Sequence, residues 1–262
     1  MRDSDVTSPT EDSDAVRPLE GGAPGSTPWG FWATAGLGVG VFVAFLALEL
    51  LATIAFVAAT MGETPDVAAV AALQTNAEFL ATALLVSGFG CTALILLLVR
   101  LRKGATVRGY LALRWPSWRA LAIWVVLAAA VVGAMDVISA LLGRDVVAEW
   151  WMDVRANATA PLFLGLATVV AAPLFEETFF RGFLYRGLVH SKLGVTGTIL
   201  VTAAVWAVIH LQYGAYEIAQ IFILGILLGI ARHRTGSLWV PLIIHAAVNL
   251  AANIQVAYLM QS

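Results

Sequence analysis

The stretch Leu166-Ala-Thr-Val-Val-Ala-Ala-Pro-Leu-Phe-Glu-Glu-Thr-Phe-Phe-Arg181 carries two adjacent carboxylates and a guanidinium inside an otherwise apolar run. In lipid, each ionised group costs about 2.5–3.5 kcal/mol on insertion scales. Three charges within six residues make this a poor lipid-facing anchor. They call for a polar interior lined by the rest of the chain, and function is to be sought there.

The surrounding composition agrees. The chain has 262 residues, of which 60% are apolar and 12% charged, against roughly 45–50% and about 25% in a soluble domain. Its mean hydropathy is +0.85. These values describe a polytopic membrane protein built only of helices. Cys91 is the single cysteine, so neither an internal disulfide nor a multi-cysteine metal site can form. Its setting reads as a small helix-packing position. Residues 1–28 are a different polymer, acidic and proline-containing, with Asp3, Asp5, Glu11, Asp12, Asp14 and Glu20. Such a segment cannot bury enough surface to fold, and a disordered tail is expected.

A helix needs about 20 apolar residues to cross the hydrocarbon core. Seven segments qualify, at roughly 30–61, 78–101, 118–142, 161–189, 195–212, 214–232 and 238–260. An eighth surface or re-entrant segment would suit 105–118, where Arg alternates with Trp and Tyr. The chain divides into the tail, N-terminal transmembrane helices over 29–142, and a C-terminal core over 160–260. Arg100, Arg102, Lys103, Arg108, Arg114 and Arg119 follow the second span, so that loop is expected to be cytoplasmic. The N-terminus would then be cytoplasmic too. Gly225 and Gly229 form a Gly-x-x-x-Gly that permits close helix contact. The glycines at 36, 38 and 40 follow no strand and read as helix packing, not as a nucleotide loop.

Glu177 and Arg181 are four residues apart, so they share a helix face with acid before base, the favoured order. Glu176 is rotated about 100° away and is free to face a neighbouring helix. Pro173 removes a backbone donor just upstream. His210 ends its span in Trp206-Ala-Val-Ile-His210, and His245 shares a face with Asn249 in His245-Ala-Ala-Val-Asn249. A carboxylate and two imidazoles can bind and deprotonate water, and an amide can donate to an oxyanion. Two His and one Glu are also a zinc ligand set, so Glu176, His210 and His245 would be the ligands if a metal is used. The helical His-Glu-x-x-His signature is absent.

These motifs resemble the CPBP family of intramembrane proteases, the CAAX prenyl endopeptidase and bacteriocin-processing group also called Abi. The family's Glu-Glu-x-x-x-Arg is matched by Glu176-Glu177-Thr-Phe-Phe-Arg181, followed by the typical Gly182. Its Phe-x-x-x-His is matched by Trp206-x-x-x-His210, with one aromatic replacing another, and its His-x-x-x-Asn by His245-x-x-x-Asn249. The resemblance covers about residues 160–255. It implies hydrolysis of a peptide bond in a membrane-associated protein or peptide. Glu176 and His210 would activate water, His245 and Asn249 would stabilise the oxyanion, and Glu177 and Arg181 would support the first motif. Zinc is one cofactor considered within the family; a glutamate-dependent reaction without metal is the other. A bacterial plasma-membrane location fits, and no nucleic-acid partner is expected.

Counting along the helices leaves a tension. Glu176 and His210 lie about 20 Å from the cytoplasmic ends of their spans, at about 1.5 Å per residue, while His245 lies near its basic flank. The sites meet only if helices tilt, or if the last span dips inward first, through residues 235–240 with Gly236 and Pro241. Two other readings compete. One is a proton-coupled transporter using these groups with Glu49, Asp136 and Gln220. The other is a catalytically silent immunity or scaffold protein.

Overall fold

The structure is a computed structural model that describes residues 28–61 and 66–261. The acidic tail is outside the described residues except for its last position. Among the described residues there are helices and no strands. Six helices are long and apolar enough to cross a membrane: α1 (Phe31–Thr60), α2 (Ala77–Leu101), α3 (Trp118–Leu141), α5 (Pro161–Leu188), α7 (Ala215–Thr235) and α8 (Trp239–Leu259). Between α3 and α5 runs the short surface helix α4 (Glu149–Ala156). Between α5 and α7 lies α6 (Gly194–Val208), apolar but shorter. The chain is thus an all-helical polytopic bundle with seven apolar helices at the expected places. The fifth ends at Val208 rather than near residue 212, so His210 stands just beyond the helix.

Capping explains several starts. Asn76 accepts from the Phe79 N–H at 2.8 Å at the head of α2, and Ser117 accepts from the Ala120 N–H at 3.2 Å at the head of α3. Each satisfies a donor that has no partner within its helix. The head of α5 borrows its cap from α2. Glu78 Oε1 accepts from the Thr159 N–H (2.7 Å), the Thr159 hydroxyl (2.7 Å) and the Ala160 N–H (3.0 Å). Pro161 then begins the helix, where a missing N–H costs nothing. At its other end α7 stops at Gly236, whose φ of +62° closes the helix in the left-handed region.

The motif-bearing helix is the centre of the bundle. Half of the apolar window of α5 is buried, against 11% for α1 and 11% for α3, which present most of their surface outward. Backbones approach closely around it. A Cβ at Gly88 of α2 would lie 2.9 Å from the Ala171 carbonyl oxygen of α5. Similarly, a Cβ at Gly225 would lie 3.0 Å from Ala203 Cβ and from the Trp206 ring, and one at Gly229 would lie 2.8 Å from Ile199. The Gly225/Gly229 pair therefore seats α7 against α6, which holds Trp206. Of the three N-terminal glycines only Gly38 is packed, against Leu184; Gly36 and Gly40 have open space where a Cβ would be. Cys91 is a free, fully buried residue of the core.

Candidate active site

Two segments of α5 are wound more loosely than an α-helix, with i→i+5 hydrogen bonding at Ala167–Ala171 and Thr178–Leu184. Between them sits the α-helical turn Ala172–Glu177 that carries both glutamates. Widened turns of this kind recur at functional sites.

Glu177 and Arg181 form the expected ion pair, Nη1 to Oε1 at 3.0 Å, with side chains 0% and 1% exposed. The arginine's other amino group donates to the Gly225 carbonyl at 3.0 Å, and its guanidinium lies 4.6 Å from the Trp206 ring centroid. One carboxylate, one carbonyl and one aromatic face together compensate a cation that would otherwise not survive burial. Arg232 donates through Nε to the Arg181 carbonyl at 3.0 Å, tying α7 to the same turn.

Sequence spacing did not reveal that Glu177 has a second partner. His245 Nδ1 lies 2.9 Å from the same Oε1. A carboxylate only accepts, so Nδ1 carries the hydrogen and Nε2 is left to act. That Nε2 stands 4.0 Å from Glu176 Oε2. Glu176, 15% exposed in its side chain, points away from Glu177 toward α6 and α8, as the 100° rotation implies. Its Oε2 accepts from the Trp206 indole N–H. Trp206 also bridges the histidines, with ring centroids 5.3 Å from His245 and 5.4 Å from His210. His210 Nδ1 is 2.7 Å from the Trp206 carbonyl. The carbonyl only accepts, so here too Nδ1 carries a hydrogen. Both histidines are thereby held by Nδ1, with Nε2 the nitrogen left for the site.

Asn249 is half-buried on the same face of α8, but its Nδ2 donates to the Thr168 carbonyl at 2.8 Å. The structure thus gathers Glu176, Glu177, Arg181, Trp206, His210 and His245 by direct contacts, and attaches Asn249 to the site through the backbone of α5. Among the described residues no group of three His, Cys, Asp or Glu side chains could hold a metal ion.

The turn that leads into the last span is buried. Ser237 and Leu238, between α7 and α8, are each 1% exposed. The Leu238 N–H donates to the Ala112 carbonyl at 3.0 Å, and the Ser237 hydroxyl donates to the Arg114 carbonyl. The segment around 107–114 thus packs on the turn from which α8 starts.

Two aromatic residues join the site from outside the motifs. Tyr213 stacks on His210 at 6.2 Å between centroids. Trp150 of α4 meets Tyr213 edge-on at 5.4 Å and donates its indole N–H to the Gln74 carbonyl at 3.1 Å. Burial, and then the charge of Glu176, pushes the Tyr213 phenol up to about 12, so it is neutral at ordinary pH. Its place three residues after His210 in a tight hairpin is the one sequence signal that could have drawn attention to it.

Trp206 departs from the phenylalanine usual in the resembling motif, and the departure has a chemical consequence, because only tryptophan offers an N–H to Glu176. Trp206→Phe keeps the ring packing and deletes that donor. A hydrogen bond to a charged group is worth about 1.5–3 kcal/mol, so kcat is expected to fall roughly 10- to 100-fold with KM nearly unchanged. Steady-state kinetics on a cleaved peptide check this; an unaltered kcat would show that the indole does not position the carboxylate.

Comparison with known proteins gives two findings. Residues 158–251 match the family model described as type II CAAX prenyl endopeptidase Rce1-like. The chain is also 34% identical over 125 residues to an Escherichia coli protein named "Uncharacterized 24.3 kDa protein", an alignment covering 44% of this chain and 57% of that one. The chain thus spans little more than half the length of the curated relative it matches. No solved structure matches. The family-model match brackets all three motifs, so residues 158–251 are similar to the Rce1-like CAAX prenyl endopeptidases, in line with the motifs' resemblance to the CPBP/Abi group.

Proposed function

We propose that the chain is an intramembrane endopeptidase that hydrolyses a peptide bond of a membrane-associated protein or peptide, with its N-terminus on the cytoplasmic side of a bacterial plasma membrane. The observation that carries this reading is the pairing of Glu176 with His245 at 4.0 Å, with His210 joined to both through Trp206.

In this mechanism a water molecule between Glu176 and the free Nε2 of His210 loses a proton to Glu176 as its oxygen attacks the scissile carbonyl. The carbon becomes tetrahedral and its oxygen takes the negative charge. His245, protonated and held at Nδ1 by Glu177, donates from Nε2 to that oxyanion. An amide nitrogen has two hydrogens, so Asn249 keeps one for the oxyanion while the other bonds Thr168. Collapse of the intermediate breaks the C–N bond, and Glu176 returns its proton to the departing amine. The low-dielectric interior strengthens each of these contacts.

The test is reconstitution. Proteoliposomes holding the purified chain and a bacterial membrane proteome are incubated, and new N-termini are read by mass spectrometry. Discrete new termini with the wild type, absent with His210→Ala, are the expected result. Identical terminus profiles for the two would overturn the reading.

A further inference from the structure

The span carrying Glu176 does not keep one helical register. At the end of the first widened turn the Ala172 N–H donates to the Ala167 carbonyl, five residues back. An α-helical Ala172 would instead have served the Thr168 carbonyl, four residues back. In the widened register the donor for Thr168 is residue 173, which is proline and has no N–H. Both donors that a helix offers this carbonyl are therefore lost, one to the wide turn and one to the pyrrolidine ring. An unsatisfied backbone group in a membrane interior costs several kcal/mol.

Side chains of α8 make up the deficit. Asn249 Nδ2 donates to the Thr168 carbonyl at 2.8 Å. Asn253, one turn on, donates to Thr168 Oγ1 at 3.2 Å and to the Asn249 carbonyl at 2.8 Å. The Thr168 hydroxyl is itself committed, donating to the Leu164 carbonyl at 3.0 Å. This link lies two turns before Glu176. A slip of one residue in register turns a downstream side chain by about 100°, which is the angle that separates Glu176 from Glu177. The register of this turn therefore determines which glutamate faces Trp206 and His245 and which is sealed against Arg181.

We propose that Asn249 is a positioning residue: its amide supplies the donor that Pro173 lacks, holds the widened turn against α8, and so fixes the register in which Glu176 faces the site. The kinetic part of this inference rests on the endopeptidase reading; the structural part does not.

The test is a double-mutant cycle of Asn249→Ala and Pro173→Ala. Alanine at 173 restores an N–H that can reach the Thr168 carbonyl. The expected result is that Asn249→Ala lowers the thermal midpoint in detergent and lowers kcat at least tenfold with little change in KM, and that adding Pro173→Ala recovers most of the thermal loss and a measurable part of the kcat loss, the remainder being the oxyanion donor that alanine at 173 cannot replace. Asn249→Asp, nearly isosteric but without an N–H, is expected to behave as Asn249→Ala does and to be rescued in the same way; it serves if the alanine variant does not fold. An asparagine acting only as a donor to substrate would show the same loss with proline or alanine at 173. Additive effects across the cycle, in thermal midpoint and in kcat, overturn the proposal. If the wild type cleaves nothing, the endopeptidase reading fails, and the thermal cycle still decides whether Asn249 replaces the missing donor.

Discussion

Glu176→Gln is expected to lower kcat by roughly 10²–10⁴-fold, the range that a positioned general base contributes, while the fold survives. The substitution keeps the size and the hydrogen-bonding oxygen. A glutamine carbonyl can still accept from the Trp206 indole, and the side chain is 15% exposed, so no buried charge is left unpaired. What disappears is the ability to take a proton from water and return it to the amine. Kinetics on a peptide identified by terminus mapping, with the thermal midpoint measured on the same preparations, separate the two effects. A variant with more than a tenth of wild-type kcat would remove Glu176 from the reaction. One that lost its thermal transition along with its activity would turn it into a structural residue. The contrast with Glu177 makes the experiment informative, because the two carboxylates are adjacent in sequence and opposite in environment.

Much of this was legible in the sequence, for identifiable reasons. Helical spacing placed Glu177 with Arg181 and turned Glu176 away, because a rotation per residue is all that such an inference needs. Hydropathy located the spans, because lipid imposes a length that composition must meet. The parts that were missed depend on the backbone or on contacts between distant segments. A widened turn leaves no mark in apolar periodicity, so nothing singled out Thr168, and Asn249 looked free to face substrate. His245 was not connected to Glu177, because one carboxylate oxygen taking two donors is a fact of three-dimensional packing. The end of α6 at Val208 was missed because apolar residues continue past it; the helix stops where His210 leaves it to reach inward, not where hydropathy falls. Trp150 and Tyr213 meet across some sixty residues of sequence, and no local pattern announces such a contact.

The other large effect is expected from Glu177→Gln, and it falls on stability. Arg181 Nη1 and His245 Nδ1 both donate to Oε1 of Glu177. Glutamine can place its own oxygen there and keep both contacts. The substitution therefore removes the charge and almost nothing else, leaving the Arg181 guanidinium, 1% exposed, without the carboxylate charge that lies 3.0 Å from it. Leaving one member of a buried pair uncompensated costs about 3–5 kcal/mol. The new amide group would occupy the place of Oε2, which is buried with no hydrogen-bond partner among the described residues, adding about 1–3 kcal/mol for a donor that finds no acceptor. On the scale of chains this long, the thermal midpoint should fall by roughly 10 °C or more. Removing both charges, as in Glu177→Gln with Arg181→Met, should be milder than the single change, because no isolated cation remains. An unchanged midpoint in detergent for Glu177→Gln would mean that the contacts alone, and not the carboxylate charge, hold Arg181 in the bundle. Activity should fall as well, since the charged acceptor that holds His245 by Nδ1 at 2.9 Å becomes a neutral one, and it should fall even at temperatures well below the lowered midpoint. That residual defect would separate support of His245 from support of the fold, and it assigns Glu177 both tasks through a single oxygen.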